Sequence, residues 1–141
     1  AIICRQKPIS AFGTDTLPLD VFAEAQTACL RTADAGQPID VLRFIANGHR
    51  LASEAFGFPI GSLQPGSAAD LLVLDYHSPT PLDASTLSAH VLAGFSSRAV
   101  ESVMVDGLWR LWKRKALALD VNEVSRKARE AAHSLWAKMR G

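Results

Sequence analysis

Apolar residues recur along this chain at two periods, and the switches between them divide it into helices and strands. From Asp20 to Ala35, Val21, Phe22, Ala25, Cys29 and Leu30 fall at helical spacing on one side. Asp20 is placed to cap this helix, Glu24 adds negative charge near its first turn, and Gly36 ends it. Pro38 to Phe56 carries a second stripe through Val41, Leu42, Ile45, Leu51, Ala52 and Phe56, with Gly57 as its stop. Gly48 leaves open whether that helix runs through or breaks.

The other period is short and β-like. Pro8 to Thr16 is mostly apolar and ends in Gly13-Thr14-Asp15, which predicts a buried strand, centred on Ile9 to Phe12, that delivers the Asp15 carboxylate where a loop begins. Gly61 to Gly66 is turn-rich and leads into Ala69 to Asp75, whose aliphatic centre predicts a strand covered on both faces. Gly66 is expected to supply a turn, and Asp70 a local hydrogen bond where the strand starts. A short helix is expected within Ala84 to Phe95. Val100 to Val105 and Leu108 to Lys113, separated by Asp106-Gly107, form the strongest hairpin signal in the chain and are expected to pair with Leu71 to Leu74.

The last segment, Asp120 to Arg140, repeats Val121, Val124, Ala128, Ala131, Leu135 and Met139 at helical spacing. Asp120 with Glu123 has the form of a capping box. Arg126, Lys127, Arg129, Lys138 and Arg140 make the outer face basic. A membrane surface or an acidic partner is one reading of that face; a solvated face on a helix docked to the domain is the favoured one, because Glu123 and Glu130 dilute the charge.

Composition narrows the class. The chain has 141 residues with 15 basic and 14 acidic side chains, a formal charge of +1, so it lacks the diffuse positive field that non-specific nucleic-acid binding requires. Its apolar runs reach about four residues, against the roughly 20 needed to cross a bilayer. Neither nucleic acid nor membrane is expected as a partner. The first six residues do not have the pattern of a secretory signal, and Cys4 and Cys29 have no metal-type spacing. They are expected as reduced thiols in a cytoplasmic protein forming one compact unit.

The block from Asn47-Gly48-His49 through Gly61-Ser62-Leu63-Gln64-Pro65-Gly66-Ser67-Ala68-Ala69-Asp70-Leu71 to Asp75 resembles the C-terminal region of the metal-dependent amidohydrolase superfamily. The resemblance extends downstream through Val103-Met104-Val105-Asp106-Gly107 and upstream to Gly13-Thr14-Asp15, which matches the motif ending the family's eighth barrel strand. Asp75-Tyr76 to Pro79-Thr80-Pro81-Leu82 and the basic terminal helix are most similar to the aminohydrolase (deaminase) branch associated with selenium metabolism.

The resemblance implies a mixed α/β fold: the last strand and helices of a (β/α)8 barrel in residues 1–60, the C-terminal part of a small β-sandwich in 61–119, and an amphipathic helix in 120–141. A complete barrel needs about 250 residues, so the family pattern fits here only as a C-terminal fragment. In the family, divalent metal, zinc or iron, is held by a His-x-His pair, further histidines and the eighth-strand Asp. Only Asp15 falls on such a position, which implies a role for it as metal ligand and catalytic proton acceptor.

A catalytic metal needs about three protein ligands. His49, His77, His90 and His133 form no His-x-His and are expected as surface or packing residues, and Trp109, Trp112 and Trp136 as core or interface residues. The expectation is therefore a hydrolase-type fragment, inactive and metal-free alone, whose C–N bond chemistry belongs to the intact family. The alternative is a self-standing, non-catalytic oligomerisation or interaction module. Thr16-Leu17-Pro18 departs from the small polar residues many members carry after this Asp, which leaves the substrate class open. With most of a barrel missing, the apolar sides of the first two helices, Phe22 and Phe44 among them, are expected to pair two copies into a dimer.

Overall fold

The computed structural model describes residues 9–14 and 19–140. Within them lie four α-helices, α1 (Val21–Asp34), α2 (Val41–Phe56), α3 (Leu87–Ala93) and α4 (Val121–Arg140), and four strands, β1 (Leu71–Leu74), β2 (Val100–Val105), β3 (Leu108–Trp112) and β4 (Lys115–Ala116). The class is mixed α/β, as the two periods predict.

Both early helices begin where a carboxylate can satisfy free amide groups. Asp20 accepts from the N–H groups of Phe22 and Ala23 at 3.0 and 3.2 Å, and Asp40 accepts from Leu42 and Arg43 at 3.0 and 3.2 Å. Each such cap is worth about 1 kcal/mol. Helix α2 runs unbroken through Gly48 and stops at Gly57, whose left-handed backbone (φ +81°) allows its N–H to bond Ser53 O.

The fully buried apolar core consists of Ala25 and Cys29 from α1, Val41 from α2 and Val91 from α3, with Phe12, Leu42, Ile45, Leu92 and Phe95 packed around it. The stripe of α1 is therefore only half used: Val21 and Leu30 face solvent.

The sheet is antiparallel throughout, in the order β1-β2-β3-β4. Leu72 pairs with Val103, and Val105 with Leu108 across the Asp106-Gly107 turn. Both turn residues have positive φ, +50° and +72°, the conformation a two-residue hairpin of matching twist requires. Asp70 bonds the tip of that turn, accepting from Asp106 N–H at 2.7 Å. Ser67 N–H donates to Gln64 O around the turn that contains Gly66.

Three expectations are corrected. Residues 9–14 form no strand, because a strand needs a paired backbone and among the described residues none pairs with them. Strand β1 is not covered on both faces, since Leu72 is 51% and Val73 38% exposed. Helix α4 is not docked: no residue of it is buried, and Leu135, Trp136 and Met139 are all more than half exposed. Its start is half a capping box, in which Asp120 accepts from Asn122 and Glu123 N–H. Glu123 pairs with Arg126 and Lys127. Strand β4 is an addition that the sequence did not announce. No described helix is long and apolar enough to cross a membrane.

Candidate functional site

Asp15 lies outside the described residues, but the segment leading to it is held in place. Asn47 Nδ2 donates to Ser10 O at 2.8 Å, and the Phe12 and Phe44 rings pack with centroids 5.1 Å apart. Residues 9–14, directly ahead of Asp15 in the chain, are thus fastened to α2 by a polar and an aromatic contact. The Asn47-Gly48 pair singled out in the sequence finds its use here. Phe22 likewise has a partner inside the chain, meeting Phe95 edge-on at 6.0 Å. The two phenylalanines expected to pair two copies thus have partners within the chain, while Val21, Leu30, Leu51 and Phe56 of the same helices are exposed.

The four histidines do not converge. His49 and His133 are exposed; His77 is exposed beside Asp75 at 3.5 Å. Among the described residues, no three His, Cys, Asp or Glu side chains form a group able to hold a metal ion.

His90 is buried, 5% exposed, and every polar atom it has is used. Its Nε2 lies 3.1 Å from Pro81 O, and a carbonyl can only accept, so in the neutral ring Nε2 carries the proton. Nδ1 then accepts from the Tyr76 hydroxyl at 2.8 Å. Thr80 Oγ1 approaches Nε2 at 3.3 Å. This pair ties the loop after β1 to α3 and walls a cavity of about 450 Å³ lined also by Pro79, Thr86 and Ala93. No carboxylate lines the cavity, and no local pattern signals the Tyr76–His90 bond, because the two residues lie on different elements.

Two further polar groups brace the molecule. Arg114 bonds Asp75 Oδ2 at 2.9 Å and Arg98 O at 2.8 Å, and buried Ser102 accepts Lys113 N–H at 3.0 Å. Asp20, besides capping α1, accepts from Ser97 Oγ at 2.6 Å. That bond first, and the helix amides after it, hold the Asp20 carboxyl below its ordinary pKa. A depressed carboxyl contributes stability that is complete above the unfolded value, about 3.9, and is lost as pH falls through the folded one. Ser97→Ala is therefore expected to cost about 0.5 kcal/mol at neutral pH, discounted for solvent screening. The difference from the parent should vanish in acid; a difference of equal size at pH 2 in thermal melts would refute the link.

Burial pushes the Cys29 thiol up, and nearby Asp40 adds to the effect. Cys29 is thus held as a protonated, weakly nucleophilic thiol, as expected from its place in the core.

These features match known proteins over most of the chain. The model of the Amidohydrolase family matches residues 5–110. A 5-methylthioadenosine/S-adenosylhomocysteine deaminase of Pelotomaculum thermopropionicum is 29% identical over 118 residues, 81% of this chain and 27% of that protein. A 5′-deoxyadenosine deaminase of Methanobrevibacter smithii is 29% identical over 117 residues, 75% of this chain and 27% of its own length. The crystal structure of an adenosine deaminase from Xanthomonas campestris with bound zinc superposes with a TM-score of 0.68 at 24% identity, over 82% of this chain and 28% of that one. At that identity the likeness concerns the fold alone. The chain thus spans 27% of the length of these curated relatives. With residues 5–110 matched, well over half of its length, the chain belongs to the amidohydrolase family.

Proposed function

We propose that this chain is the C-terminal portion of a metal-dependent hydrolase that acts on C–N bonds as a deaminase, and that it has no turnover alone. The observation that carries the reading is the pairing of deaminase-named relatives over 81% of this chain with coverage of only 27% of their own length. In this reading residues 9–14 are the final barrel strand, strands β1 to β4 are one part of the small sandwich, and Asp15 is the residue the chain contributes to the reaction site.

The described residues do not fit a metal of their own, since their histidines and carboxylates are dispersed and about three ligands are needed. The part assigned to Asp15 is that of a carboxylate that ligates the metal and accepts a proton. The cytoplasm is the compartment proposed, on the reduced state expected of Cys29.

Metal analysis and an ammonia assay on the dialysed chain test this reading. Far less than one zinc or iron per chain, and no ammonia from adenosine or 5′-deoxyadenosine, are expected; near one metal per chain, or ammonia above the blank, would overturn it. A longer reading frame supplying His-x-His upstream should release ammonia, and Asp15→Asn should lower that rate by roughly 100-fold or more. Full activity of the Asn variant would remove Asp15 from the site.

The second reading, a non-catalytic association module, is favoured by the large apolar residues left exposed on β1, β2, β3 and α4.

A further inference from the structure

Three residues of α2 meet the segment that leads to Asp15. Phe44, Asn47 and Gly48 stand at the i, i+3 and i+4 positions of one helix face, and each meets a different member of the run Ser10 to Phe12. The Asn47 Nδ2 group donates to Ser10 O at 2.8 Å, and the Phe44 ring packs on Phe12. Gly48 lies against Ala11, so that a Cβ added to it would stand 3.8 Å from Ala11 Cβ.

Only one of these three contacts fixes a position. Apolar contacts are non-directional and let the segment slide along the helix. A hydrogen bond to a main-chain carbonyl holds over only a few tenths of an ångström, and Asn47 makes it from a short side chain on a helix of 16 residues ended by Asp40 and Gly57. Glycine is among the poorest residues for a helix interior, yet α2 runs unbroken through Gly48. Its missing side chain lets the segment approach closely enough for the Asn47 amide to reach Ser10 O; anything longer than alanine there would stand where Ala11 does.

The seat lies wholly within the described residues, and Asp15 follows Phe12 three positions on. Three residues reach about 10 Å at most, so the place of Ser10 to Phe12 bounds that of the carboxylate. A reacting group misplaced by about 1 Å loses roughly 100-fold in rate.

We propose that Asn47 is a positioning residue for the Asp15 carboxylate: by holding Ser10 O to α2, with Gly48 giving the close approach, it sets where the chain delivers Asp15 to the reaction site. The part given to Asp15 rests on the deaminase reading, whereas the seat belongs to this chain.

The seat is tested in the chain itself. With Cys4→Ser, Ala11→Cys and Gly48→Cys, the two new thiols have the Cβ separation of a disulfide, about 3.8 Å, and should close on mild oxidation. Adding Asn47→Ala should slow closure roughly 5-fold. Failure to close with Asn47 intact, or equal rates with and without it, would overturn the proposal.

The consequence is tested in the longer reading frame that supplies His-x-His. Asn47→Ala, and the isosteric Asn47→Asp, which lacks the donor, should lower kcat roughly 10-fold or more with KM little changed. Closing the 11–48 disulfide should restore most of the rate to Asn47→Ala, and reduction should remove it again. A merely structural Asn47 would change the yield of folded enzyme and leave kcat per folded molecule alone. An active parent whose Asn47→Ala variant keeps its kcat overturns this assignment by itself; a parent with Asn47 intact that releases no ammonia overturns the deaminase reading and the assignment with it.

Discussion

Gly94→Ala is expected to lower the unfolding free energy by about 3 kcal/mol, a large share of what a domain with so small a core possesses. Gly94 closes α3 with φ −119°, which any residue adopts, so the cost is one of space. A methyl group there would overlap the Tyr76 ring and hydroxyl. Tyr76 cannot simply swing aside, because its hydroxyl is bonded to His90 and its ring stands edge-on to Phe95 at 4.9 Å. Overpacking of this kind costs about 1–3 kcal/mol, and the lost hydrogen bond about 1 kcal/mol more. Urea denaturation reads the effect. Combining Gly94→Ala with Tyr76→Leu should cost less than the sum of the two, since the shorter side chain vacates the space; an additive pair, or a single-variant loss below about 0.5 kcal/mol, would show that Tyr76 is not locked.

The second large effect is expected at the hairpin. Gly107→Val places a β-branched residue at φ +72°, where even an unbranched L-residue is strained by about 1–2 kcal/mol. It also disturbs the bond from Gly107 N–H to Ala69 O at 3.1 Å. A loss of about 2 kcal/mol, seen as a fall in Tm of roughly 6 °C, is expected. Gly107→Asn, which tolerates the left-handed region, should come close to the parent. Equal melting temperatures for all three would mean the turn is not formed.

The local chemistry of the chain made much of this fold legible. Asp20 and Asp120 announce helix starts because a carboxylate directly ahead of an apolar stripe has the amides two and three residues on to accept from, and each does so; Asp40 does the same for the second helix without being singled out by the pattern. Asp106-Gly107 announces its turn for the same kind of local reason. What depends on neighbours was not legible. The run from Ile9 to Phe12 has strand composition, yet a strand exists only where another backbone pairs with it.

The Lys113-Arg114 turn has φ of +45° and +65° with neither glycine nor asparagine to announce it. It is held from outside, by Ser102 and by the Arg114 contacts to Asp75 and Arg98. The apolar stripe of α4 is present as its periodicity predicts, but periodicity says only that one side of a helix is apolar, not that the same chain covers it. As for the candidate site, Gly13-Thr14-Asp15 was visible as a motif. The clasp of Asn47 on Ser10 that supports it joins residues 37 positions apart, beyond the reach of any local pattern.

The sheet's own connectivity has a kinetic side. Strands β2 and β3 meet across two residues, whereas β1 and β2, equally close in space, are separated by the 25 residues from Asp75 to Ala99 that carry α3. Closing the longer loop costs about 2 kcal/mol more in chain entropy. The hairpin can therefore form as a local event, whereas pairing of β1 has the larger entropy loss to overcome. The Tyr76–His90 bond and the Arg114 contacts to Asp75 and Arg98 lie within or across that connection and offset part of the loss, so the sheet's longest loop is also its most internally braced one.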